Sequence, residues 1–350
     1  MMKILVTGGA GFIGCNFVRR ALRVKKDWKI IVADALTYAG NLENLEGLKE
    51  KYNDRYDFIK IDIRDKESVD ELFKKEKFDG VIHFAAESHV DRSILGPLAF
   101  VETNVLGSVN LLEASRKYFK SDKSRFLHIS TDEVYGALGD EGFFTEETKI
   151  VPSSPYSASK ASSDLFVLAY HKTYGLNVVI TRCCNNYGPY QFPEKLIPFM
   201  IKRALDGEPL PVYGDGRNVR DWIFVDDHND GTILAFEKGR AGEVYNLGAR
   251  CEKRNIDLVK LLIEKLKACL KDKKDFKEPE IAFVKDRPGH DFRYAIDPSK
   301  AESELGFKPK ISFEEGIDLT VKWYIENEGW WRRIISGEYL EYVEKQYGGK

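Results

Sequence analysis

Short apolar runs rich in β-branched residues alternate with longer amphipathic stretches through the first half of the chain. KILVTG (3–8), WKIIVAD (28–34), YDFIKID (56–62), GVIHFAA (80–86), RFLHIST (125–131) and LNVVITR (176–182) are mostly apolar throughout. That is the pattern of strands buried on both faces. Between them, residues 12–24, 68–75, 97–118 and 157–174 carry apolar positions at helical spacing. The alternation predicts an α/β fold: a Rossmann-type doubly wound parallel sheet with helices on both faces.

After Arg182 the pattern loosens. YGPYQFPEKLIP and GEPLPVYGDG are rich in Gly, Pro and Tyr, and read as loops of a smaller, interleaved C-terminal substrate lobe. Residues 220–238 read as a strand and then a helix that packs back on the main sheet. VYNLG (244–248) is a further strand, 255–267 and 313–324 are helical, and 267–280 is a charged surface connection. The expected organisation is a dinucleotide-binding part over 1–182, joined by 220–248, and a mainly substrate-binding part over 183–350.

Charge and cysteine usage narrow the class. The 350 residues include 54 basic and 56 acidic ones, a net charge of −2, which argues against a nucleic-acid or polybasic membrane surface. Cys15, Cys183, Cys184, Cys251 and Cys269 are odd in number and show no CxxC spacing. This argues against a disulfide framework or a metal site and fits a reducing cytoplasm. No run approaches the roughly 18 apolar residues of a membrane span, and the N-terminus enters a strand without a leader pattern.

GGAGFIG places Gly8, Gly11 and Gly14 between a strand and a helix, with Phe12 and Ile13 opening that helix. Such glycines let a backbone approach a pyrophosphate, whose charge sits at the helix N-terminus. A tight strand–helix turn alone would use the same residues. The context and Asp34, twenty positions past Gly14, favour a dinucleotide. An acid there accepts from ribose hydroxyls and repels a 2′-phosphate, so NAD is expected over NADP. Asp62 and Ile63, after the third strand, fall where an adenine would lie, and the small Ala85 and Ala86 leave room for the cofactor. His89 reads as a pocket wall rather than a proton shuttle, while Asn104 is as readily structural as functional.

STDEVYG (130–136) and YSASK (156–160) carry the chemistry. Tyr156 and Lys160 share one helix face, and the ammonium is expected to lower the phenol's pKa and make it a usable base. Thr131 stands beside them, followed by the acids Asp132 and Glu133. Hydride transfer needs only the Tyr and Lys. The acid pair points to a second proton chemistry, and elimination of water would use it. Taken alone, Asp-Glu reads as a polar cap. In the second half Asn186, Glu194, Lys195, Tyr213, Arg220, Asn255, Arg287 and His290 are scattered, and composition alone would leave them on the surface. An Arg fork suits a diphosphate, and Tyr213 could flank a base.

TGGAGFIG, AAESHVDRS, STDEVYG, YSASK, RCCNNYGPYQFPEKLIP, YGDGRNVRDWIFVDDH and DRPGHDFRYAID together resemble the extended short-chain dehydrogenase/reductase family. More narrowly they resemble its nucleotide-sugar 4,6-dehydratases; epimerases of the superfamily lack the Asp-Glu pair after the Thr. The resemblance implies a hydro-lyase with NAD as cofactor that turns dTDP-glucose into its 4-keto-6-deoxy product. It implies that Thr131, Asp132, Glu133, Tyr156 and Lys160 are catalytic. It places Ser88, Thr131, Asn186, Glu194, Lys195, Leu196, Pro211, Tyr213, Arg220, Asn255, Arg287 and His290 against the nucleotide sugar. It also implies a homodimer joined through the helices over 97–118 and 157–174. Phe292 stands where many members carry a second Arg. Rival readings are a 4-epimerase of the same fold, a dehydratase of UDP- or CDP-glucose, a plain alcohol dehydrogenase and a non-catalytic NAD sensor.

Overall fold

The computed structural model describes residues 1–273, 276–286 and 290–335. Six strands lead the chain: β1 (Met2–Thr7), β2 (Trp28–Asp34), β3 (Tyr56–Lys60), β4 (Gly80–His83), β5 (Arg125–Thr131) and β6 (Val178–Cys183). They are followed by β7 (Asn185–Tyr187), β8 (Leu210–Tyr213), β9 (Val219–Phe224), β10 (Glu243–Leu247), β11 (Glu252–Arg254) and β12 (Ile281–Val284). The main sheet has seven strands in the order β3-β2-β1-β4-β5-β6-β10, and every neighbouring pair is parallel. Ile4, Leu5 and Val6 of β1 are fully buried, as a central strand covered on both faces requires. The order reverses between β1 and β4. Their pairing of Thr7 with His83 brings both C-terminal ends level, which opens a crevice at the switch point.

The second half builds two smaller sheets, β11-β9-β7 and β12-β8. The helices Leu196–Leu205, Asn255–Leu270 and Phe313–Glu326 gather with them around Trp331 in a separate apolar core. Three expectations are corrected here. Of the two stretches read as loops, 187–198 runs into the Leu196–Leu205 helix and 207–216 contains β8. Pro198 lies in that helix's first turn, where a missing N–H breaks no internal hydrogen bond, so its proline-rich look misled. The stretch over 97–118 is not one regular helix. A π-helical turn, Val101–Leu106, separates Pro97–Phe100 from Gly107–Tyr118. Gly107 follows because an added Cβ would lie 2.6 Å from Ile63 Cδ1. The 255–267 helix also runs on to Leu270, into the segment expected to be a surface connection.

All five cysteines are free thiols. Among the described residues no helix is long and apolar enough to cross a membrane.

Candidate active site

A cleft of about 400 Å³ opens at the C-terminal ends of the central strands. Gly8, Gly11 and Gly14 form its floor with Phe12 and Ile13. Gly8 has φ +69°, and a Cβ there would sit 2.5 Å from the Ala85 nitrogen, so only glycine fits. The Phe12–Val24 helix begins at Gly11 with no side-chain cap and no acid in its first turn. Its leading N–H groups therefore face the cleft as an anion site. Asp34 ends β2, and its two oxygens accept from the Leu36 and Ala10 backbone nitrogens at 2.8 and 2.9 Å. Burial raises its pKa and those two bonds oppose the shift. Asp62, Ile63, Ala85 and Ala86 line the far wall. Arg64 forks onto Asp62 at 2.9 and 2.6 Å and holds its carboxyl below the usual range. A glycine cradle, an uncapped helix end and a fixed acid on β2 fit a dinucleotide.

The reactive groups stand over this floor. Thr131 ends β5, and its hydroxyl accepts from the Glu133 nitrogen at 3.3 Å and donates to Asp132 Oδ1 at 3.3 Å. That cap starts the short 3-10 turn Asp132–Tyr135. Asp132 is 2% exposed, and its Oδ2 is buried without a partner. Burial first, then the charges of Glu133 and Asp221, push its carboxyl well above the ordinary value. Glu133 lines both this cleft and the neighbouring cavity.

Tyr156 and Lys160 sit in the first turns of the Pro155–Tyr174 helix. A capping box of Ser154 and Ser157 and a proline at its start fix where that helix begins. The expected lowering of the tyrosine pKa by Lys160 is not what the structure has. Tyr156 is 8% exposed; burial, then the charge of Glu133, drives it well above the ordinary value, with Thr131 hydrogen bonding as the counterweight. Lys160 instead donates to the Ile129 carbonyl at 2.7 Å and lies 3.4 Å from His128 Nε2. Burial lowers its own pKa to about 8. The loss of hydration around a buried phenolate therefore outweighs helix-face pairing.

A second cavity of about 170 Å³ adjoins the first and shares Glu133, Asn185, Glu194 and Lys195 with it. Leu196, Pro211, Tyr213, Arg220, Asn255 and His290 line it, while Ser88 and Asn186 line the larger cleft. The Tyr213 and His290 rings lie edge to face, 5.9 Å apart. Arg220 donates to the Val219, Phe292 and Asp291 carbonyls and lies 4.5 Å from the Tyr294 ring centre, which fixes its charge in the wall. Lys195 donates to the Ser88 carbonyl at 2.7 Å. Expected site residues from both halves thus meet along one groove; Arg287 lies outside the described residues.

Other side chains take structural places. His89 caps a short helix, accepting from the Arg92 nitrogen at 3.4 Å, and lines the smaller cavity as a pocket wall. Asn104, in the π turn, donates to the Glu87 carbonyl and to Ser159 Oγ, tying the cleft loop to the Tyr156 helix. Sequence reasoning missed one cluster in the groove wall. The Tyr38 hydroxyl donates to Glu194 Oε1 at 2.9 Å, 156 positions away, and the Arg92 guanidinium stands 4.0 Å from the Tyr38 ring centre. No local pattern joins residues that far apart.

Fold and site together are those of an extended short-chain dehydrogenase/reductase. A sequence model of the family described as GDP-mannose 4,6 dehydratase matches residues 5–320. The dTDP-glucose 4,6-dehydratase of Xanthomonas campestris pv. campestris is 54% identical over 347 residues, covering 97% of each chain. The structure of DesIV, a dTDP-glucose 4,6-dehydratase from Streptomyces venezuelae with NAD and TDP bound, matches with TM-score 0.87 and 48% identity, covering 95% of this chain and 100% of that one. A UDP-glucose 4-epimerase from Thermus thermophilus in complex with NAD matches at TM-score 0.83 but only 32% identity, covering 93% and 100%. The chain belongs to the nucleotide-sugar 4,6-dehydratase family.

Proposed function

We propose that this chain is a hydro-lyase that converts dTDP-glucose to dTDP-4-keto-6-deoxyglucose with NAD as its resident cofactor. The observation that carries this is that Asp132, Glu133 and Tyr156 line one cleft, with Glu133 also facing the smaller cavity. An epimerase would leave that acid pair idle. The full-length relatives support thymidine as the nucleoside, and the smaller cavity, with Tyr213, Arg220 and His290 in its wall, suits a base and a diphosphate.

Gly8, Gly11, Gly14 and Asp34 would hold the dinucleotide, Asp62 and Ile63 would flank its adenine, and the small Ala85 and Ala86 would let it pass closely. NAD held there would supply a hydride acceptor at carbon 4 and a hydride donor at carbon 6. Tyr156 removes the proton of the 4-hydroxyl. The ketone so formed acidifies carbon 5, whose proton Glu133 removes. Asp132, held protonated by its burial, donates to the departing 6-hydroxyl, which leaves as water. Glu133 then returns its proton to carbon 5. General acid–base help of this kind is worth roughly 100- to 10,000-fold per step.

We further propose residues 1–182 with 220–248 as the cofactor-holding part and the rest of 183–350 as the nucleotide-sugar part. The cytosol is the proposed location, and a homodimer the proposed assembly. The test compares dTDP-, UDP- and CDP-glucose side by side and reads keto sugar by absorbance after alkali. Keto sugar from dTDP-glucose without net NADH is the expected result; NADH accumulating in step with the product would overturn the reading.

A further inference from the structure

An acid of the sugar groove is held from the cofactor side of the fold. Glu194 lines both cavities, whereas Tyr213, Arg220 and His290 line only the smaller one and Tyr156 only the larger. A hexose that joins a diphosphate in the smaller cavity to Tyr156 in the larger has to cross the shared stretch. Glu194 would therefore stand beside the sugar ring rather than beside the base. Its side chain is 1% exposed, and its Oε2 has no hydrogen-bond partner among the described residues. A buried carboxylate oxygen without a donor is an acceptor site for a sugar hydroxyl.

We infer that Tyr38 is the positioning residue that aims this carboxylate at the hexose. Its hydroxyl donates to Glu194 Oε1 at 2.9 Å, which leaves Oε2 as the atom to meet the sugar. The ring is itself clamped. The Arg92 guanidinium lies 4.0 Å from its centre, and the Phe192 ring stands edge-on at 5.7 Å. Arg92 Nε also comes within 3.4 Å of Glu194 Oε2, so cation, ring and carboxylate brace one another. Burial raises the Tyr38 pKa well above the ordinary value, so the phenol keeps its proton and stays a donor. Burial also pushes the Glu194 carboxyl up, while Lys195, Arg92 and the Tyr38 hydrogen bond pull it back toward the ionised, accepting form.

Tyr38 belongs to the loop that leaves Asp34. Leu36 has a left-handed backbone, φ +55°, and its nitrogen donates to Asp34 Oδ1 at 2.8 Å. The Gly40 nitrogen closes a turn onto the Thr37 carbonyl at 3.0 Å, and the Asn41 nitrogen returns to the Ala10 carbonyl at 3.1 Å. A Cβ on Gly40 would lie 2.7 Å from Asp34 Oδ1, so the loop is folded tightly against that acid. Thr37 and Gly40 line the cofactor cleft. The residue that aims the sugar-side acid is thus carried by the loop that the ribose-side acid holds in shape. A group fixed in this way loses little freedom when its ligand arrives. The role rests on the dehydratase reading, because it needs a hexose in the shared stretch.

The test is steady-state kinetics of the NAD-saturated enzyme with dTDP-glucose, using dTDP as competitive inhibitor. dTDP carries the base and diphosphate but no hexose. Tyr38→Phe keeps the ring and removes only the hydroxyl. It should raise KM about 10-fold, while kcat and the inhibition constant of dTDP stay as in the wild type. Glu194→Gln should raise KM at least as much, and adding Tyr38→Phe to it should cost nothing further. The positioning role is wrong if Tyr38→Phe leaves KM unchanged, if it weakens dTDP as much as dTDP-glucose, or if the two substitutions add. Should Tyr38→Phe fail to fold, Glu194→Gln decides alone, because an unchanged KM there leaves no hexose contact for Tyr38 to aim. Each of these failures leaves the dehydratase reading standing, whereas a wild type that makes no keto sugar removes both.

Discussion

Asp132 and Glu133 are neighbours in the chain, yet they meet different surroundings. The first is buried with an unpartnered oxygen, while the second faces the seam between two cavities. Two carboxyl groups so placed can divide acid and base work. Asp132→Asn is expected to slow water loss by about 100- to 10,000-fold while the first oxidation survives. A stopped-flow trace of nicotinamide absorbance beside a keto-sugar assay checks this, and wild-type keto-sugar turnover would remove the acid assignment. The pH sign follows from two shifts. Asp132 is raised, so the acid form is lost only as pH climbs past its elevated value. Lys160 is lowered to about 8, so its charge is also lost as pH rises. Activity is therefore expected to fall through about pH 8 as Lys160 loses its charge, and a flat pH–rate profile from 7 to 10 would contradict a need for that charge. The candidate residues were legible because they lie in short local motifs. The direction of the Tyr156 shift was not, since burial is a property of the assembled site and helix-face spacing carries no sign of it.

At the scale of elements, the Tyr156 helix depends on its first turn. Ser154 and Ser157 hold that turn through reciprocal hydrogen bonds. Ser154→Ala should cost about 1 kcal/mol of stability, read by urea denaturation, and should lower kcat more than it changes KM because the phenol sits two residues beyond. Gly8→Ala should cost ~1–3 kcal/mol for its left-handed backbone and weaken dinucleotide binding, read by titration calorimetry; unchanged affinity would refute the close approach. The six early strands were plain in the sequence because their apolar runs are nearly continuous, buried on both faces in all but β3 at the sheet edge. The π turn at Val101–Leu106 was not, because its cause is a hydrogen-bonding network spread over three segments: Asn104 to Glu87 and Ser159. Helix Leu196–Leu205 was hidden by prolines and glycines around it, although its buried Ile197, Phe199, Met200 and Ile201 carry an ordinary apolar face.

At the scale of the molecule, several large apolar side chains stay in water. Leu98 is 74% exposed, and Val101 and Leu165 are each more than half exposed. They lie on the helices proposed to join two copies. A charge pair, Leu98→Glu with Leu165→Glu, is expected to shift the mass from two chains to one by light scattering after gel filtration, and a wild-type monomer would dispose of the dimer.

The strand at the sheet's last position comes late. β10 pairs beside β6 only after the chain has left to build β7, β8 and β9. A ribosome that stopped after β6 would hold a sheet with one flank bare, its N–H and C=O groups ready to recruit a stranger's strand. A fragment cut after β6 is therefore expected to turn a strand buried at all six positions into an edge and to stay soluble less well than one that carries the five-residue β10.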